Sequence, residues 1–285
     1  VGLITPGDFG STDIFVDELF WWCYRALMPG AGTPVSDAQW KVLELGRRAL
    51  LAPVEKKCLQ LPPPSTQDNL PDVSRLIGQL RLQHDEHRLE ADLSVIRKIP
   101  EVMREADFKV TATLVRPVRE VGQTRIINVQ AGDTSGRSCA IAMDIGTTTI
   151  YGQVIDLITG AVLAEHAEFN GQISYGEDVI TRIVYAEKPG GLDRIQEVVI
   201  ATINTILGKI IHRAGVDPQD ISTITLAGNT TMTQLLLKIN PRHIRRAPYV
   251  PASSLYPPLK ARDLGMNLDG HVTALVYPVV SSYVG

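Results

Sequence analysis

The stretch richest in potential chemistry is Asp144-Ile-Gly-Thr-Thr-Thr149, which closes an apolar run from Cys139 to Ile145. Gly146 lets a backbone turn tightly and approach a ligand. Successive N–H groups and the hydroxyls of Thr147, Thr148 and Thr149 can donate to phosphate oxygens. Asp144, at the end of the apolar run, has the charge and position to hold a hydrated Mg²⁺ that neutralises those phosphates. Hairpin turns also favour Asp, Gly and Thr, so the string by itself does not separate a phosphate loop from an ordinary turn. A second glycine turn, Ala227-Gly-Asn-Thr-Thr-Met232, stands where the short apolar run Ile221–Leu226 feeds a helical pattern. There the backbone around Gly228, Thr230 and Thr231 can face bound phosphates or an attacking water, which puts Asn229 beside Asp144 as a catalytic candidate. Asn229 or Thr230 would cap the following helix in either case.

Other polar clusters carry less. Asn170-Gly-Gln-Ile-Ser-Tyr-Gly-Glu-Asp178 can position water or metal next to a phosphate site, while Glu177 or Asp178 can equally cap a helix. His84-Asp85-Glu86-His87 has metal-ligating residue types but no further ligands nearby, and reads as a solvated helix end. His166, His212, His243 and His271 have no nucleophile or carboxylate partner close in sequence and read as surface or strand residues. Cys23, Cys58 and Cys139 are odd in number and far apart, which predicts free thiols in a reducing, cytoplasmic compartment.

The elements that must position these residues follow from periodicity. Helical patterns run over Asp13–Leu27 and Asp37–Leu51, so residues 1–55 form a helical segment with no visible chemistry. Its Phe20-Trp21-Trp22 cluster lies in a stretch, Ile14–Met28, that is broken by Asp17, Glu18 and Arg25 and is shorter than the roughly 20 residues a membrane span needs. Leu61-Pro-Pro-Pro-Ser65 reads as a linker after which a new unit starts, because consecutive prolines remove backbone donors. A small α+β domain, 56–135, is predicted from helices near Asp72–Gln83 and Asp92–Ala106, a strand Phe108–Val115 and a second strand Arg125–Val129. After the turn-rich Ala131–Gly136, residues 138–285 read as strands Cys139–Ile145, Thr149–Asp156 and Ala161–Phe169, then helical patterns Ile180–Ala186 and Leu192–Ala214. A strand Ile221–Leu226, a helix Thr230–Leu237 and a strand near Val272–Val276 complete the order β-β-β-α-β-α-β.

A chain of 285 residues that is 44% hydrophobic can bury a full core. Its 28 basic and 31 acidic residues give a net charge of −3, so no global positive field draws it to nucleic acid or an anionic membrane. It starts at Val1, without the basic stretch and apolar run of a secretory signal, which predicts a piece of a longer chain and discounts Asn229-Thr-Thr as a glycosylation acceptor.

The β-β-β-α-β-α-β order with its first loop at Asp144 is similar to that of actin, sugar kinases, acetate kinase and heat-shock chaperone ATPases. The stretch from about Lys56 to Gly285 resembles the ATP-dependent reductive activators of corrinoid proteins, members of the actin-like ATPase superfamily. The strings that carry the resemblance are Leu61-Pro-Pro-Pro-Ser65, Ile99-Pro-Glu-Val-Met-Arg-Glu-Ala106, Val110-Thr-Ala-Thr-Leu114, Asp144-Ile-Gly-Thr-Thr-Thr149, Tyr175-Gly-Glu-Asp-Val-Ile180, Gly228-Asn-Thr-Thr-Met232 and Tyr283-Val-Gly285. The resemblance implies the first lobe of an actin-like (ribonuclease H-like) ATPase domain behind the small α+β domain. It also implies Mg·ATP held by Asp144, Gly146, Thr147–Thr149, Gly228, Asn229, Thr230 and Thr231, and a corrinoid protein as partner, reduced from Co(II) to Co(I). An iron–sulfur cluster is expected in the family, yet three isolated cysteines cannot supply its usual four ligands. The second phosphate loop of the family would lie beyond Gly285. A small-molecule kinase of the same superfamily and a non-catalytic docking module are the alternatives, and a homodimer is an expectation.

Overall fold

The computed structural model describes residues 54–116 and 122–279. The predicted helices at Asp13–Leu27 and Asp37–Leu51, the Phe20-Trp21-Trp22 cluster, Cys23 and Tyr283-Val-Gly285 lie outside the described residues.

The chain is mixed α/β, built on two mixed sheets. The first has strands β1 (Val54–Gln60), β2 (Leu89–Ala91), β3 (Lys109–Val115) and β4 (Thr124–Ala131) in the order β1-β3-β4-β2. Helices α1 (Asp72–His84) and α2 (Leu93–Glu105) pack on it. The fully buried Val95, Ile99 and Met103 recur at helical spacing and form one stripe of α2, which meets Val110, Ala112 and Leu114 of β3.

Leu61-Pro-Pro-Pro-Ser65 does not open this unit, as the sequence suggests: β1 precedes it and pairs antiparallel with β3 along its whole length. Leu61 is itself buried, with its N–H on the Phe108 carbonyl at 2.8 Å, and the prolines fall where pairing stops because they have no N–H to give. β3 is also buried on both faces. Its Thr111 hydroxyl donates to the Gly132 carbonyl at 2.7 Å and accepts from the Thr134 N–H at 2.9 Å, so the polar half of the alternation lies under a turn and away from water.

The second sheet has β5 (Cys139–Ile145), β6 (Thr149–Asp156), β7 (Val162–Phe169), β8 (Ile221–Gly228), β9 (Leu259–Lys260) and β10 (Thr273–Val276), in the order β7-β6-β5-β8-β10-β9. β5, β6 and β7 form an antiparallel meander, β8 runs parallel to β5, and β10 runs parallel to β8. Helices α3 (Val179–Ala186) and α4 (Gly191–Ala214) both lie between β7 and β8, and α5 (Thr230–Leu236) follows β8. Both helical patterns read in the first crossover are helices, and the β-β-β-α-β-α-β order gains a short antiparallel strand, β9, before β10. By length and composition α4 could cross a membrane, but its Ile195, Val199, Ile203, Ile206 and Ile210 stripe is buried in the core of this sheet.

The sheets meet through buried polar groups. Lys56 of β1 pairs with Asp220 at 2.7 Å, with the two side chains 1% and 4% exposed. Gln130 and Arg137 also donate to Asp220, at 2.9 and 3.0 Å. Asn128 donates to the Gln219 carbonyl at 3.1 Å, and Asp92 at the start of α2 takes both Arg125 and Lys260. Asp220 immediately precedes β8, so this joint fixes the N-terminal end of the strand whose other end carries the second glycine turn.

Candidate functional site

Parallel pairing of β5 with β8 brings the two glycine turns together. Asp144 stands opposite Ala227 and Ile145 opposite Gly228, so both loops leave the sheet at one edge. The first is the tight β5–β6 hairpin. A Cβ at Gly146 would sit 2.5 Å from the Thr149 carbonyl oxygen, so no other residue fits without moving the backbone. A Cβ at Gly228 would come within 3.0 Å of the Ile145 carbonyl, so the second turn is pressed against the first. Asn229 ties the two side by side: its Nδ2 donates to the Thr147 hydroxyl at 3.2 Å, while its Oδ1 accepts the Met232 N–H at 2.9 Å and caps α5. The cap and the link to the first loop are therefore made by one side chain.

Of the residues singled out from sequence, Asp144, Gly146, Thr147, Gly228 and Asn229 converge. The Thr148 and Thr149 side chains are exposed at the hairpin tip. Thr230 and Thr231 are buried, at 1% and 4% exposure, and lie within α5. Asp144 is largely buried and makes no ion pair among the described residues, so desolvation pushes its carboxyl up to about 6. A bound cation would reverse that penalty. This chemistry fits a metal ligand, although no cluster of three or more His, Cys, Asp or Glu occurs among the described residues. A hydrated Mg²⁺ needs only one or two protein carboxylates.

The backing of the loop is where sequence reasoning fell short. Asn170 is fully buried; its Nδ2 donates to the Gly146 carbonyl and its N–H to the Thr148 carbonyl, both at 2.8 Å. Arg182 of α3, also fully buried, donates through Nη2 to the Thr147 carbonyl at 2.6 Å and through Nε to the Gly176 carbonyl at 2.8 Å. Its Nη1 reaches Gln172 Oε1 and Met232 Sδ, both at 3.3 Å. No carboxylate pairs with it among the described residues, and burial lowers its pKa. Of the two readings open for Glu177 and Asp178, capping holds for Asp178, which makes a capping box with Thr181.

The remaining candidates lie elsewhere. His87 pairs with Asp85 at 2.6 Å and Glu86 with Arg116, so the His84–His87 run is a charged helix end. His166 does have a carboxylate partner, Glu168 at 2.8 Å on the same strand, and His271 is buried rather than on the surface. Cys58 and Cys139 are free thiols.

Comparison with known proteins decides the family. The model of the RACo middle region matches residues 139–285, and that of the RACo linker region matches 47–136. The chain belongs to the RACo family. It is 31% identical over 206 residues to the corrinoid activation enzyme RamQ of Eubacterium limosum, a match covering 68% of this chain and 35% of that protein. A solved structure of a reductive activator for corrinoid, iron-sulfur protein aligns with a TM-score of 0.72 and 34% identity, over 82% of this chain and 37% of that one. The chain thus spans about a third of the length of these relatives. Within the family's own division, both glycine turns, Asn170 and Arg182 fall in the middle region, and Lys56 and Asp92 in the linker region.

Proposed function

We propose that this chain is the linker and first ATPase lobe of an ATP-dependent corrinoid activator with an actin-like fold. The antiparallel β5-β6-β7 meander continued by the parallel β8 and β10 supports that fold. The observation that carries the site is Asp144: a desolvated carboxylate without a counter-ion, at a strand end, beside a hairpin whose glycine is sterically required. Asp144 would hold Mg²⁺ through its hydration shell, and the bound ion would neutralise charge on the nucleotide phosphates. The Thr147–Thr149 loop would donate to phosphate oxygens, and Asn229 would keep the second turn in register with the first.

In the whole protein the partner is a corrinoid protein, the compartment is the cytoplasm, and one electron takes Co(II) to Co(I). That electron comes from an iron–sulfur centre outside this segment. The corrinoid supplies the redox chemistry, and ATP turnover drives the uphill transfer by changing the docked complex. Calorimetric titration of the full chain with Mg·ATP tests the site. Binding is expected, Asp144→Ala is expected to abolish it, and the same substitution in the full-length protein is expected to abolish ATPase turnover. Near-normal ATPase activity in that variant would remove the assignment.

A further inference from the structure

We infer that Arg182 is a positioning residue for nucleotide phosphate: it turns the hairpin loop so that backbone N–H groups, not carbonyls, face the ligand. The inference rests on the phosphate-site reading above and extends it to a residue that does not reach the ligand itself.

In a trans peptide the C=O and the following N–H point in opposite directions, and the only cis bond among the described residues is Ala247–Pro248. The Thr147 carbonyl is held inward by Arg182 at 2.6 Å, so the Thr148 N–H is directed outward. The Gly146 carbonyl is held inward by Asn170 at 2.8 Å, so the Thr147 N–H is directed outward too. Neither N–H donates to a protein acceptor among the described residues. Left to itself, a tight hairpin can present either edge of these peptides. With Arg182 and Asn170 behind it, the edge that would repel a phosphate is occupied.

Charge leads to the same assignment. Arg182 is fully buried, and its acceptors are carbonyl and amide oxygens and a thioether rather than a carboxylate. A buried guanidinium is ordinarily paired, because leaving it alone is costly. Asp144 is the converse case, a partly buried, desolvated carboxyl with no ion pair among the described residues. The two do not pair with each other, and Asp178 acts on Arg182 only through space, without a hydrogen bond to it, so a Mg²⁺–polyphosphate can complement both the carboxylate and the guanidinium. Through Met232 Sδ the same guanidinium also touches the start of α5, the helix of the second glycine turn.

The test is titration of the full chain with Mg·ATP and, separately, with adenosine, in the unsubstituted protein and in Asp144→Ala, Arg182→Gln and Arg182→Lys, with thermal unfolding as a check on folding. Arg182→Lys keeps the buried charge but cannot span all the acceptors. The Kd for Mg·ATP is expected to rise on the order of tenfold to a hundredfold in the Arg182 variants, as expected for losing a charged hydrogen bond, while the Kd for adenosine stays within about twofold. Equal losses for both ligands, or no loss for Mg·ATP, would overturn the inference, since a merely structural arginine does not distinguish phosphate from nucleoside. If Asp144→Ala removes Mg·ATP binding and Arg182→Gln leaves it intact, only the Arg182 role is lost. If the unsubstituted chain binds no Mg·ATP, the phosphate site is lost and Arg182 with it. Should both Arg182 variants unfold, amide exchange in the unsubstituted protein decides. Slower exchange at Thr147 and Thr148 with Mg·ATP than with adenosine supports the inference, and equal exchange overturns it.

Discussion

The joint between the sheets and the edge where the glycine turns meet are both built from buried charge, and they use it in opposite ways. At the joint Lys56 and Asp220 are paired at 2.7 Å, with Gln130 and Arg137 taking up the remaining acceptor capacity. At the turns Asp144 makes no ion pair among the described residues, and Arg182 gives all its hydrogen bonds to neutral acceptors and feels Asp178 only through space. The first arrangement completes itself on folding, whereas the second leaves the Asp144 carboxyl without an ion pair among the described residues. On the proposed function, burial alone does not mark a functional charge in this chain; burial without a salt-bridge partner does.

The contrast is sharpest in unfolding experiments. Asp220→Asn strands the Lys56 ammonium in the joint and should cost about 3–5 kcal/mol in urea denaturation. Adding Lys56→Met should recover much of that loss, and an undiminished deficit in the double variant would mean that the pair is not what holds the joint. His271 gives a second measure at the same place. It is buried against the Ile221 carbonyl, at 2.9 Å from Nε2, and burial lowers its pKa from 6.5 to about 4. Because the folded value is depressed, its contribution is fully present above about pH 6.5 and is lost as the pH falls towards 4. The expected loss is on the order of 3 kcal/mol, and His271→Gln should flatten that limb of the stability–pH curve.

Asp144→Asn should go the other way. Its folded pKa is raised, so ionisation works against folding as the pH rises from about 4 through about 6. Removing the charge should therefore stabilise the ligand-free chain at pH 7 by up to about 3 kcal/mol, and the gain should disappear below about pH 4. A loss of stability in that variant would put Asp144 in the same class as Asp220 and remove the distinction between the two regions.

The residues that converge were legible because strand and turn chemistry is local. The Cys139–Ile145 run, the glycine at 146 and the Thr149–Asp156 strand are each defined by a few consecutive residues, and the structure places all three where their pattern puts them. β1 was not legible, since Glu55, Lys56 and Lys57 interrupt its apolar alternation and the reason for Lys56 lies in Asp220, far along the chain. Arg182 was missed for the same cause: its acceptors at Thr147, Gln172, Gly176 and Met232 are contributed by four separate stretches. One local signal was available. Arg182 shares its face of α3 with Val179, Ile183 and Ala186, and a charged residue inside an apolar helical stripe is either a mismatch or a buried contact with a purpose.

β8 has one end on each of the two regions: it begins beside Asp220 and finishes at Gly228, against the Ile145 carbonyl. Over Thr223–Leu226 it is paired on both sides, with β5 and β10, and there it does not slip one residue without breaking register. On the proposed function, a ligand that displaced Gly228 would push on the strand that begins beside the Lys56–Asp220 pair. By thermodynamic reciprocity, a partner that leans on the linker sheet would retune affinity at the turns by the same free energy. On the proposed function, one strand would thus carry the nucleotide end and the linker end of the molecule on a single backbone.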